Sequence, residues 1–108
     1  MRTALLIAAI LALGASFIAD AADDFAAEAL ARKSKCLTCH SVDKKKEGPP
    51  FKETAQKYRG KPDAEQKLFT HLTTNPTVKV DGKDETHESL KTKNDAEVKN
   101  VVGWILTR

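Results

Sequence analysis

Near the C-terminus, Val98, Val101, Val102, Ile105 and Leu106 fall at i, i+3, i+4, i+7 and i+8, the spacing of one buried helical face. Asn94, three residues before Glu97, reads as the capping box that opens this helix. It is the clearest element in the chain. A shorter helix is predicted from Pro50 to Tyr58, where Phe51, Ala55 and Tyr58 stand four and three apart and Gly60 ends the run. Pro49 and Pro50 close the loop before it and keep the preceding residues out of a helix. Pro62 at a first-turn position, followed by Asp63 and Glu65, opens another helix, with Leu68, Phe69 and Leu72 on one side and Thr73-Thr74-Asn75-Pro76 ending it. Upstream, Asp23 or Asp24 caps a first helix that runs to Lys35, to which Phe25, Ala26, Ala29 and Leu30 give an apolar contribution. Residues 73–93 are polar and lysine-rich, an irregular stretch of about twenty residues, a length that points to a functional or cofactor-supported loop. With no convincing strand, the predicted fold class is all-α, with about four short helices.

Residues 1–21 differ in kind. One Arg at position 2, an apolar run from Ala4 to Ala15 and an Ala19-Asp20-Ala21 ending have the layout of a cleaved secretory signal peptide. The apolar run falls short of the roughly 20 residues a bilayer span needs, so no stable membrane insertion of the mature chain is expected. Cleavage after Ala21 leaves residues 22–108 as a single exported, periplasmic domain, and Met1, the only methionine, leaves with the leader. A domain of this size buries only about 60–65% of its unfolded surface, so something besides side chains is expected to fill its core. Arg2 and Asp20 are both removed, and the net charge stays at +3. That is mildly basic and far from the profile of a nucleic-acid binder.

The two cysteines change the picture most. Cys36, Cys39 and His40 lie at i, i+3 and i+4, which on one helical turn puts two thiols and an imidazole on the same face. C-x-x-C-H is the attachment signal of a c-type haem: the thiols form thioethers to the porphyrin and the histidine takes one side of the iron. A simple disulfide is permitted in an exported protein, but this spacing argues against it. A thioredoxin-type pair needs a strand before the first cysteine, and none is predicted. A zinc site needs four ligands, and His71 and His87 are too far apart for the histidine half of a finger.

The order "AEALARKSKCLTCHSV", "GPPFKETAQKYRG", a helix with "LFTHL", a polar loop and a closing "WILTR" resembles the small bacterial class I cytochromes c of the c551/c552 type. The likeness covers essentially the whole of residues 22–108. It implies that the first and last helices cross, that one covalent haem c lies between them and a ligand loop, and that the role is one-electron transfer rather than enzymatic catalysis. It further implies that Pro49 offers its carbonyl to His40, that Trp104 packs near the haem and that His71 meets a haem propionate. Periplasmic redox proteins would be the partners of a protein expected to be monomeric.

One departure from the family is plain. Its members supply a methionine to the iron from the loop before the last helix, whereas here that region reads "VDGKDETHESLKTKN". His87 stands at or close to the methionine position, which makes it the expected sixth ligand, with His71 as its competitor and Lys79 or Lys83 as weaker ones. A second imidazole in place of a thioether favours ferric iron, so a lower potential is expected than in methionine-ligated relatives. Such a carrier suits a lower-potential branch of periplasmic electron transfer, such as a metal-oxidising or metal-reducing chain. If His87 is labile, the same module binds small gases or couples proton uptake to reduction. Lys33, Lys35, Lys44, Lys45 and Lys46 flank the cysteine motif and suggest docking to an acidic partner surface.

Overall fold

The computed structural model describes residues 23–108; the expected leader, residues 1–21, lies outside the described residues. Helix α1 (Asp24–Lys33) begins where Asp23, in extended conformation, accepts a hydrogen bond from the Ala26 amide at 3.1 Å. Asp24 in its first turn and Arg32 and Lys33 in its last complement the helix dipole. The helix stops two residues short of the expected Lys35, because Lys35 adopts a left-handed conformation with φ 61°. That kink starts the single turn α2 (Cys36–Cys39) in a new direction.

Helix α5 (Asp95–Leu106) packs across α1. Small side chains make the crossing close: Ala27 and Ala31, one turn apart, are buried against a cluster that includes Val98, Val101 and Val102. Asn100 ties the two helices together, accepting from the Asp23 amide at 2.7 Å and donating to the Asp23 carbonyl at 2.9 Å. Arg108 pairs with Asp24 at 3.0 Å. At the start of α5 the expected capping box is only half formed. Asn94 accepts from the Ala96 amide at 2.9 Å, but Glu97 accepts from the Thr92 hydroxyl rather than from Asn94.

Helix α3 (Phe51–Tyr58) buries Phe51 and Ala55 against the same core. Helix α4 (Ala64–Thr73) buries Ala64, Leu68 and Leu72, four residues apart along one face. No helix among the described residues is long and apolar enough to cross a membrane.

The expectation of a wholly irregular stretch over 73–93 is corrected here. Thr77–Val80 and Lys83–Thr86 form an antiparallel hairpin, β1 and β2, with Thr77 opposite Thr86 and Val80 opposite Lys83. The turn residues Asp81 and Gly82 hold φ of 50° and 78°, the positive pair that a two-residue hairpin turn requires. The architecture is therefore five helices plus one small two-stranded sheet among the described residues.

The chain after the hairpin is pinned to the fold. The Leu90 amide donates to the Leu72 carbonyl at 3.0 Å, and the Lys91 amide donates to the hydroxyl of Ser34 at 2.8 Å. Ser34 is the one buried polar residue among the described residues, and this bond occupies its hydroxyl.

Candidate functional site

The left-handed Lys35 and the single turn α2 bring Cys36, Cys39 and His40 to one side of the core. The two sulfurs are not joined in a disulfide. Burial pushes the Cys36 thiol above its ordinary range. The Cys39 thiol is also pushed up, mainly because it donates to Glu47 Oε2 at 3.2 Å, with burial and the charges of Glu47 and Glu85 adding to the effect. A reactive redox pair needs a thiol pulled down towards thiolate; both thiols here move the other way.

His40 is held on three sides. Its Nδ1 donates to the Pro49 carbonyl at 2.8 Å, and its ring stacks on Phe51 with centroids 5.2 Å apart and planes 20° apart. On the third side is Gly48, where an added Cβ would lie 2.7 Å from Nδ1 and 2.9 Å from Nε2 of the ring. The loop that makes this seat closes on itself. The Gly48 amide donates to the Cys39 carbonyl at 2.8 Å and the Phe51 amide to the Ser41 carbonyl at 2.9 Å. Trp104 is buried with its ring edge against Phe51 at 5.4 Å, so it supports the seat from the last helix.

All three histidines of the chain converge. The His87 ring lies 6.1 Å from that of His40, and the His71 ring lies 4.1 Å from that of His87. His71 stands near the end of α4, half-buried, and burial, then the nearby His40, hold its pKa below the usual range. His87 follows β2 directly, and its amide donates to the Pro76 carbonyl at 2.8 Å. Its pKa is pushed down to about 4, first by burial and then by His71 and His40. The ring is thus neutral at physiological pH, the form that ligates a metal. Lys79, the weaker ligand candidate, is instead paired with Asp84 at 2.5 Å on the exposed hairpin, and Lys83 is exposed there too.

A haem fits this set of donors. The His40 and His87 rings stand 6.1 Å apart, centroid to centroid, a separation at which both imidazoles could hold one metal at a metal–nitrogen distance of about 2 Å each. His87 Nδ1 is buried with no hydrogen-bond partner, so the imidazole is one partner short. The two thiols three residues apart beside His40 complete a covalent attachment point. A separate groove of about 800 Å³ runs between α4 and α5, bordered by Pro62, Phe69 and Val102, and contains neither cysteine and no histidine.

Sequence reasoning named both cysteines and all three histidines, and the fold gathers them into one region. It missed Phe51 as the stacking partner of His40 and Gly48 as the residue that lets the ring sit so close. A glycine directly before a proline pair carries no distinctive signal of that kind.

The cytochrome c family model matches residues 26–108. Cytochrome c-552 of Hydrogenobacter thermophilus is 31% identical over 83 residues, covering 77% of this chain and 82% of that protein. Among solved structures, the class 1 cytochrome MtoD of Sideroxydans lithotrophicus ES-1 is 47% identical, with a TM-score of 0.77 over 81% of this chain and 97% of that one. Wild-type cytochrome c552 of Nitrosomonas europaea is 31% identical, with a TM-score of 0.58 over 74% of this chain and 96% of that one.

Proposed function

The chain belongs to the cytochrome c family, as a class I electron carrier with one covalent haem c, and on that premise we propose that its iron is ligated by His40 and His87. Cys36 and Cys39 form the thioethers, and the mature protein works in the periplasm after loss of residues 1–21. The observation that carries this reading is the 6.1 Å separation of the His40 and His87 rings in a chain whose only methionine is Met1.

Bound, the haem supplies a reversible one-electron couple. The chain's own residues set the terms of that couple. The Pro49 carbonyl accepts the hydrogen bond that His40 Nδ1–H donates and so fixes the ring's tautomer and raises its basicity toward the metal. Phe51 and Gly48 hold the ring in place while the charge on the site changes. His87, neutral and half-buried, contributes a harder donor than a thioether, which lowers the potential below that of methionine-ligated relatives. A carrier of that potential serves as a shuttle in a lower-potential chain, such as a metal-oxidising or metal-reducing one. His71, half-buried beside His87 without a carboxylate partner among the described residues, meets a haem propionate in this reading. If so, the potential falls with rising pH by at most about 59 mV per unit, and His71→Gln removes the dependence.

Optical and EPR spectra of both redox states test the ligand set. The ferric protein should be low-spin with a bis-imidazole signature. His87→Ala should keep its covalent haem, turn high-spin and bind carbon monoxide readily, and His87→Met should raise the potential if the thioether reaches iron. An unchanged spectrum in His87→Ala, with a high-spin His71→Ala, would assign the distal place to His71 instead.

A further inference from the structure

His87 sits on one side of a narrow neck. Its amide donates to the Pro76 carbonyl at 2.8 Å. One step further in, Asn75 and Ser89 clasp each other reciprocally: the Asn75 amide donates to the Ser89 hydroxyl at 3.2 Å, and the Ser89 amide donates to Asn75 Oδ1 at 3.1 Å. Asn75 can present both groups because its backbone is left-handed, with φ 47°, a conformation that asparagine tolerates better than most residues. Beyond the neck the hairpin 77–86 extends into solvent, with every residue of β2 exposed. His87 follows the hairpin directly and so stands between the exposed strands and the Asn75–Ser89 clasp, while the adjoining Leu90–Leu72 and Lys91–Ser34 bonds anchor the chain on the far side.

Resting on the reading of His87 as the iron's sixth ligand, we infer that Asn75 and Ser89 are positioning residues that clamp the neck and set how long His87 stays on the metal. Neither touches the cofactor in this account. Each contributes one side-chain acceptor to a main-chain donor on the other, and loss of either bond frees the segment that carries the imidazole. Asn75→Gly removes the side chain while keeping the left-handed backbone accessible, so it separates the clamp from backbone strain.

The experiment is the rate of carbon monoxide binding to the ferrous holoprotein, which is limited by departure of His87. Ser89→Ala and Asn75→Gly should each accelerate it about two- to tenfold, the span expected for one partly exposed hydrogen bond. Ser89→Thr, which keeps the hydroxyl, should restore the wild-type rate. Lys79→Ala, which removes the ion pair beyond the neck, should leave the rate within about twofold. Wild-type rates in Ser89→Ala and Asn75→Gly overturn the clamp, as does a Lys79→Ala protein accelerated as much as they are. A wild-type ferric spectrum without the bis-imidazole signature overturns the ligand reading beneath it, and that outcome is distinguishable from the others before any variant is made.

Discussion

An imidazole with a pKa near 4 behaves differently on acidification from an ordinary histidine, and His87 is held there by burial and by the two other rings. Its folded-state pKa lies below the unfolded value of about 6.5. The stability it contributes is therefore fully present above about pH 6.5 and is lost as pH falls through about 4. In the proposed ligand set, bonding to iron would pull its proton affinity lower still. The low-spin spectrum should be flat from pH 8 to about 5 and should convert to a high-spin form only below about 4. Conversion centred near pH 6 would mean that the ring is not held in this environment. At this scale the sequence was informative where chemistry is local: Cys36, Cys39 and His40 declare themselves by spacing. His87 could be named only because the family's methionine is absent from its place. Nothing along the chain says that His71 lies 4.1 Å from it, since the two stand sixteen positions apart with a hairpin between them.

Helix α5 was the most legible element, because five apolar positions fall on one face and an asparagine caps it. The hairpin was the least. Val78 and Val80 alternate with polar residues and run into Asp81-Gly82, which is a hairpin signal, but two valines in a lysine-rich stretch carry little burial with which to announce a strand. The contact between the first and last helices has its own polar component in Asn100, whose amide makes two hydrogen bonds to the backbone of Asp23. Asn100→Ala leaves the apolar crossing of Ala27, Ala31 and Val101 intact and removes both bonds, so the loss should be modest, about 1 kcal/mol for groups this exposed. For a domain of this size that is a fall of roughly 4–8 °C in Tm. The haem spectrum should not change, because Asn100 faces the helix ends and not the histidines. A Tm within one degree of wild type would mean that water replaces the side chain at no cost.

Across the whole molecule the net charge of +3 hides a mixed rim around the attachment point. Lys35, Lys44 and Lys45 are exposed and form no ion pair among the described residues. Lys46 is committed to the Leu37 carbonyl at 2.9 Å, and Asp43 is paired with Lys52. Against these, Glu47 and Glu85 place negative charge beside Cys39, close enough to raise its pKa. The lysine surface expected from the sequence is thus interrupted at the point where the haem would be attached, by Glu47 in direct contact with Cys39 and, more weakly, by Glu85 of the hairpin. If the exposed lysines steer an acidic partner, the two kinds of charge act in opposite senses. Lys44→Glu and Lys45→Glu should slow electron transfer at low ionic strength, while Glu85→Gln should speed it. All three differences should shrink once salt brings the Debye length to about 8 Å or less, because screening removes long-range attraction and repulsion alike. The measurement is the bimolecular rate with the physiological partner, taken from low to physiological salt. Rates that stay flat with salt, or a Glu85→Gln protein that slows in step with the lysine variants, would mean that docking is governed by packing at the haem edge and not by charge.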